Sequence, residues 1–168
     1  MTNMNENPLA QPITLPCGAT LKNRLMKSAM REIRGDKDHA PSKALGQLYG
    51  RWAEGGTGLL VTGNVMVDRK ALGEPKNVVF DTDRYLTALS EWAESGKRNG
   101  THIWVQLNHP GRQSPLFLSP EPVAPSPVPY DSSLKYAFNT PRALTEDEIP
   151  ELIEKFSFAA SLAKKSGF

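Results

Sequence analysis

The chain has 168 residues, 39% hydrophobic and 23% charged, which is enough apolar material for one core and too little length for two ordinary domains. With 20 Lys and Arg against 18 Asp and Glu, the formal charge of +2 is too small and too evenly scattered to nominate nucleic acid or an anionic membrane as partner. A single cysteine, Cys17, excludes an internal disulfide framework and any cysteine-built zinc or iron–sulfur site, and fits a reducing, cytoplasmic setting.

The polar residues 1–11 lack the basic start and apolar stretch of a signal peptide, and no apolar run approaches the ~20 residues of a membrane-spanning helix. Residues 12–21 (PITLPCGATL) hold two short apolar pieces around Pro16, Cys17 and Gly18, which predicts a small hairpin outside the main fold. The semi-apolar run 24–29 (RLMKSA) predicts a first strand. Pro41 and Ser42 then open a helix whose Leu45, Leu48, Tyr49, Trp52 and Ala53 share one face, and Gly55-Gly56 suits its left-handed stop. Residues 58–67 (GLLVTGNVMV) read as a strand buried on both faces.

The pattern repeats downstream. Asp83 caps a helix through Tyr85, Leu86, Leu89, Trp92 and Ala93, Asn99-Gly100 ends it, and residues 102–107 (HIWVQL) form the next strand. Residues 110–144 are dense in proline and sparse in charge, so they predict a long irregular loop that packs down instead of trailing as a free linker. A last helix starts near Thr145, where Thr145 and Glu148 match a capping box, although Pro150 moves its regular part toward Ile149. Leu152, Ile153, Phe156, Ala159, Ala160 and Ala163 form its apolar face. Three strand–helix units in one domain, residues 1–168, predict a parallel α/β arrangement, because parallel neighbours need a crossover and these crossovers are helical.

No G-x-G-x-x-G follows the first strand, which argues against a dinucleotide-binding sheet. The turn Gly55-Gly56-Thr57-Gly58 precedes its strand, at a helix C-terminus whose free carbonyls repel phosphate. In a parallel fold the working groups sit at the carboxyl ends of the strands: here Ser28, Ala29 and Met30; Thr62, Gly63 and Asn64; Gln106, Asn108 and His109. No Asp or Glu stands at any of these ends, which argues against paired-carboxylate hydrolysis. His39, His102 and His109 lack metal-ligand spacing, and no nucleophile elbow supports a triad. The remaining groups suit a flat polar ligand held by amides and exposed backbone, with Gly63 letting a ring approach the main chain. Trp52, Trp92 and Trp104 read as core or near-core groups.

Segments 21–30 (LKNRLMKSAM), 58–68 (GLLVTGNVMVD), 105–112 (VQLNHPGR), 123–126 (VAPS) and 141–148 (PRALTEDE) together resemble, in order and spacing, the old yellow enzyme group of FMN-dependent oxidoreductases, above all its bacterial-type NADH:flavin oxidoreductase branch. Five collinear motifs are far more specific than any one of them. The resemblance implies a (β/α)8 TIM barrel with FMN at the carboxyl ends of the strands. It also implies a reaction in which hydride passes from NADH or NADPH through the flavin to an electron-poor alkene such as an enone. On this view the chain is the N-terminal part of such a barrel, three βα units plus the hairpin, ending before the fourth strand.

By the same resemblance, Ser28, Ala29 and Met30 are similar to the first-strand residues whose backbone lies along the flavin, with Ala29 where many members have proline. Asn64, next to Gly63, falls where relatives place a small residue beside the ring. Gln106 is similar to the amide that bonds the pyrimidine end, which suits a group that donates and accepts at once. Arg31 stands where relatives often carry a Thr or Cys that tunes the flavin; a cation there either stabilises reduced flavin or faces solvent. His109 and Arg112 lie near the mouth and either meet a substrate or nicotinamide phosphate or brace the loop. No catalytic residue is assigned, because the family's substrate-gripping pair, tyrosine donor and phosphate loops belong to later strands. The expected function is FMN-dependent ene-reduction with this chain as one wall of the flavin site. The alternative is a non-catalytic partial barrel that acts by association with itself or with a complementary chain.

Overall fold

A computed structural model describes residues 7–168; residues 1–6 of the polar start lie outside the described part. The hairpin forms as expected, with β1 (Ile13–Thr14) antiparallel to β2 (Thr20–Leu21) and the two threonine hydroxyls 2.9 Å apart. β3 (Met26–Lys27) leads through a long connection to α1 (Lys43–Glu54), whose first turn is capped by Ser42 Oγ accepting the Leu45 N–H at 3.2 Å. The helix stops where Gly56 takes φ +97°, a left-handed conformation that costs glycine nothing.

β4 (Leu59–Met66) is the central strand, parallel to β3 on one side and later to β6 on the other. A strand that the sequence pattern misses, β5 (Val78–Val79), also runs parallel to β4 and extends the sheet beyond the short β3. It forms because Val78, Val79 and Phe80 are all buried and the Phe80 N–H donates to Met66 O at 2.8 Å. α2 (Leu86–Gly96) follows a 3-10 turn, Asp83–Tyr85, whose cap is Thr82 and not Asp83: the Thr82 hydroxyl accepts the Arg84 N–H at 3.3 Å. Asn99, at φ 54°, makes the turn into β6 (His102–Asn108).

The long loop is packed down. Within it β7 (Val123–Ala124) pairs parallel with β8 (Arg142–Ala143), Tyr130 stacks on Phe138 at 4.9 Å, and buried Ser114 donates to Leu72 O at 2.6 Å. α3 (Glu148–Ser166) starts with the capping box in both directions: Glu148 N–H to Thr145 Oγ1 at 3.3 Å and Thr145 N–H to Glu148 Oε2 at 2.9 Å. Pro150 falls inside the first turn, where its missing N–H has no helical acceptor to lose.

The core lies on one face of the sheet. Leu45, Tyr49 and Ala53 from α1, Leu89 and Trp92 from α2, and Ala159, Leu162 and Ala163 from α3 close over Leu60, Val65, Val67 and Ile103. Trp92 sets its edge against Tyr49 at 5.4 Å and Phe168 at 5.1 Å. Burying each such large side chain contributes roughly 1.5–3 kcal/mol. The other face is open. Met26 is 58% and Trp104 44% exposed there, so the expectation that all three tryptophans are core or near-core holds for Trp92 and half-buried Trp52 and fails for Trp104. The pairing of Val61 with Trp104, one step from the core-facing pair Leu60 and Ile103, turns the indole away from the helices. Among the described residues, no helix is long and apolar enough to cross a membrane.

Candidate functional site

The register of β4 against β6 holds from Leu59↔His102 to Val61↔Trp104 and then skips to Asn64↔Gln106. β4 therefore carries one extra residue at Thr62-Gly63, a β-bulge. In an unbroken strand Asn64 would share the helix-facing side with Leu60. The bulge rotates it onto the open face, beside Gln106. Two backbone donors that the irregular ladder leaves over are met by side chains: Gln106 N–H donates to Thr62 Oγ1 at 2.9 Å, and Gly63 N–H donates to Glu32 Oε1 at 3.1 Å. The Thr62 hydroxyl in turn donates to Gly63 O at 2.9 Å.

Glu32 reaches the bulge from the segment after β3. Its Oε1 also accepts hydrogen bonds from the Tyr49 hydroxyl and from Lys27 Nζ at 3.2 Å, and the Lys27 and Glu32 side chains are only 10% and 11% exposed. Lys27 Nζ donates further to Val61 O at 2.8 Å and lies over the rings of Tyr49 and Trp52, at 4.9 and 4.7 Å from their centroids. Burial lowers the Lys27 pKa against the opposing pull of Glu32, while burial first and Glu32 second push the Tyr49 hydroxyl up, so it stays a donor. The chain leaves this arrangement through Ile33 at φ 53°, which for a β-branched residue costs on the order of 1–3 kcal/mol.

This geometry corrects two expectations. The space that a Cβ on Gly63 would fill is occupied by Met30 O and Glu32 Oε2, so Gly63 admits the chain's own segment, not a ring. Its N–H is likewise spent on Glu32. The expected absence of carboxylates at the strand ends is overturned as well, since Glu32 bonds β4 at its bulge and Asp68 stands just past the end of β4. Thr62, Gly63 and Asn64 are within the strand, which runs on to Met66. Lys27 was the missed signal: a lone charge on the helix-facing side of an apolar strand must find a partner.

The remaining expected residues divide. Ser28, Ala29, Met30 and Gln106 are exposed and Asn64 is half-buried. Among the described residues, the side chains of Ser28, Asn64 and Gln106 make no hydrogen bonds. Arg31 is 71% exposed and pairs loosely with Glu74 at 3.6 Å. Arg112 lies over the Tyr130 ring at 4.5 Å and donates to Val128 O at 3.3 Å, so it braces the long loop. His109 lines a side cleft of about 290 Å³ with Asp68, Arg142, Glu148 and Lys155. Its Nδ1 accepts the Gly111 N–H at 3.1 Å. Burial lowers its pKa, Asp68 opposes this and Lys155 adds to it. Burial would raise the Asp68 carboxyl, but Lys155 at 2.5 Å and the Lys70 N–H at 2.8 Å hold it below its ordinary range. Arg142 holds Glu148 to about 2.

Two unspent amides side by side, exposed Met30 and Trp104, and the backbone of residues 28–30 form a donor set that fits the edge and face of a flat heterocycle, as the isoalloxazine ring of FMN requires. The fit extends to the ring alone, because the Gly55-Gly56 turn stands at the C-terminal end of α1 and so offers no phosphate cradle.

A family model described as the NADH:flavin oxidoreductase / NADH oxidase family matches residues 8–168. The NADH-dependent flavin oxidoreductase iccE of Talaromyces variabilis is 40% identical over 177 residues, covering 95% of this chain and 43% of that protein. The NADH oxidase of Thermoanaerobacter brockii is 36% identical over 154 residues, covering 88% of this chain and 23% of its own length. Among solved structures, the old yellow enzyme homologue from Zymomonas mobilis superposes with a TM-score of 0.84 at 30% identity, over 96% of this chain and 46% of that one. Morphinone reductase in complex with tetrahydroNAD gives the same TM-score at 28% identity, over 97% and 48%. The chain thus spans less than half the length of these relatives.

Proposed function

The chain belongs to the NADH:flavin oxidoreductase / NADH oxidase family, and from that premise we propose that it supplies the first three strand–helix units of a TIM barrel and one wall of its FMN site. The family works with FMN and an NAD(P)H reductant. When bound, FMN supplies two-electron transfer between NAD(P)H and a small-molecule acceptor, which we take to be an electron-poor alkene such as an enone. The observation that carries this reading is the bulge-driven pairing of Asn64 with Gln106 on the open face.

Each residue has a defined task. Gln106 would donate to and accept from the polar edge of the ring, and Asn64 would add a second amide beside it. The backbone of Ser28, Ala29 and Met30 would border the same site, and exposed Met30 and Trp104 would offer it apolar contact. Arg31 stands at the solvent side of this mouth. We assign no proton transfer to this chain and take its setting to be cytoplasmic. The test is the visible absorption spectrum of the chain with added FMN: a shifted, structured flavin band that needs about tenfold more FMN to form in Gln106→Ala supports the reading, and a free-flavin spectrum counts against it.

A second reading is favoured by the open edge of β6, which pairs only with β4 among the described residues, and by the exposed Leu25, Met26 and Trp104. On it the chain acts by association with a second copy or with a chain carrying complementary strands. Sedimentation distinguishes the two, since this reading requires a defined oligomer or heteromer without flavin.

A further inference from the structure

We propose that Glu32 is a positioning residue for the ring site: its carboxylate fixes the β4 bulge, and through the bulge the orientation of Asn64 and Gln106. The proposal rests on the reading of the open face as a flavin wall, but the structural step in it stands independently.

A bulge leaves backbone donors without ladder acceptors, and an unmet buried N–H favours slipping back to regular register. In this chain regular register would carry Asn64 to the helix side. Glu32 Oε1 takes the Gly63 N–H, the Thr62 hydroxyl takes the Gln106 N–H and returns its own proton to Gly63 O, and so one unbroken line of bonds joins Glu32, Gly63, Thr62 and Gln106. The carboxylate is itself immobilised. Lys27 and Tyr49 bond the same oxygen from beneath the sheet, and the second oxygen fills the space left by the missing Gly63 side chain. Ile33 at φ 53° is the strained turn that this anchor holds in place. Glu32 belongs to the same 28–32 segment that borders the ring site, so one group ties two walls of that site together. None of these bonds reaches a ligand directly; the residue acts through Asn64 and Gln106.

The test compares the 168-residue chain, Glu32→Gln and a control, Leu89→Ala, which weakens the core and removes none of the hydrogen bonds at the bulge. Two quantities are read at pH 8: the FMN dissociation constant by flavin fluorescence, and amide hydrogen exchange at Gly63 and Gln106. In Glu32→Gln, the FMN dissociation constant is expected to rise about tenfold and exchange at both amides to speed up by a similar factor. Leu89→Ala is expected to lose stability while its FMN affinity and the exchange at Gly63 and Gln106, relative to neighbouring strand amides, stay as in the parent. If either readout is unchanged in Glu32→Gln, the proposal is overturned. Should the parent take up no FMN, the flavin reading fails by itself, and exchange at Gly63 and Gln106 alone decides whether Glu32 fixes the bulge. Should Glu32→Gln not fold, Tyr49→Phe removes one donor from the same oxygen and keeps the ring; a weaker change of the same kind supports the proposal, and none overturns it.

Discussion

The two faces of the β4–β6 pair are built from adjacent residues of the same strands and have opposite chemistry. On the helix side Leu60, Val65 and Ile103 disappear beneath α1, α2 and α3, and the charge of Lys27 there is met by the Glu32 carboxylate, a hydroxyl, a carbonyl and two rings. On the other side Met26, Trp104 and Gln106 are exposed and the side-chain amide of Gln106 is unspent. Stability and recognition are therefore stored on different faces: the first holds the sheet together, and the second is held ready for a ligand or for further chain. The bulge at Thr62-Gly63 is the switch between them, because it alone moves Asn64 from one face to the other.

Substitutions on the two faces should therefore differ most in stability. Leu45→Ala, at a side chain 1% exposed, is expected to cost about 2–5 kcal/mol in urea unfolding, against roughly 0.5 kcal/mol or less for Met26→Ala on the open face. Equal costs would mean that the open face is already covered in solution. At the switch itself, Gly63→Ala places a Cβ onto Met30 O and Glu32, and a loss of about 1–3 kcal/mol together with FMN binding is expected. An unaffected Gly63→Ala would break the link between the bulge and the segment after β3. Gln106→Ala reverses the pattern: FMN affinity drops about tenfold, or about 1.4 kcal/mol, with unfolding free energy unchanged within ~0.5 kcal/mol.

Smaller effects sharpen the comparison at its edges. Arg112→Ala should cost roughly 0.5–1 kcal/mol by loosening the loop at Tyr130, and leave FMN affinity as it is, which isothermal titration checks. The smallest effect is that of pH on the side cleft. Folded His109 binds a proton less readily than the unfolded chain, so its contribution is complete above about pH 6.5 and declines as the pH falls below that value, until the folded imidazole titrates. Asp68 and Glu148, both held below their ordinary range, remain ionised at the upper end of that window. His109→Gln should flatten the stability profile there, and an identical slope in parent and variant would remove His109 from it.

Most of the fold was legible because apolar periodicity and caps are local signals. Ser42, Gly56 and the Thr145–Glu148 pair do in space what their spacing predicts. β5 was not legible, since two valines in a loop become a strand only because β4 leaves room beside β3. At the site, Gln106 and Asn64 stood out as residue types, but the reason they meet is a one-residue change of register that no periodicity reveals. The same change explains why Gly63 was misread: its open space was visible, and its occupant, Glu32, lies 31 residues away in sequence. Sequence distance alone puts Arg112 and His109 near the mouth, whereas Arg112 lies over the Tyr130 ring within the loop and His109 lines the side cleft with Asp68.

The most direct test of the account is hydrogen exchange along the chain with and without FMN. Slowed exchange is expected at residues 28–32, at Asn64 and at Gln106, with α1, α2 and α3 unchanged. Protection confined to the helices or to the cleft around His109, or none anywhere, would contradict the assignment of the open face as the flavin wall.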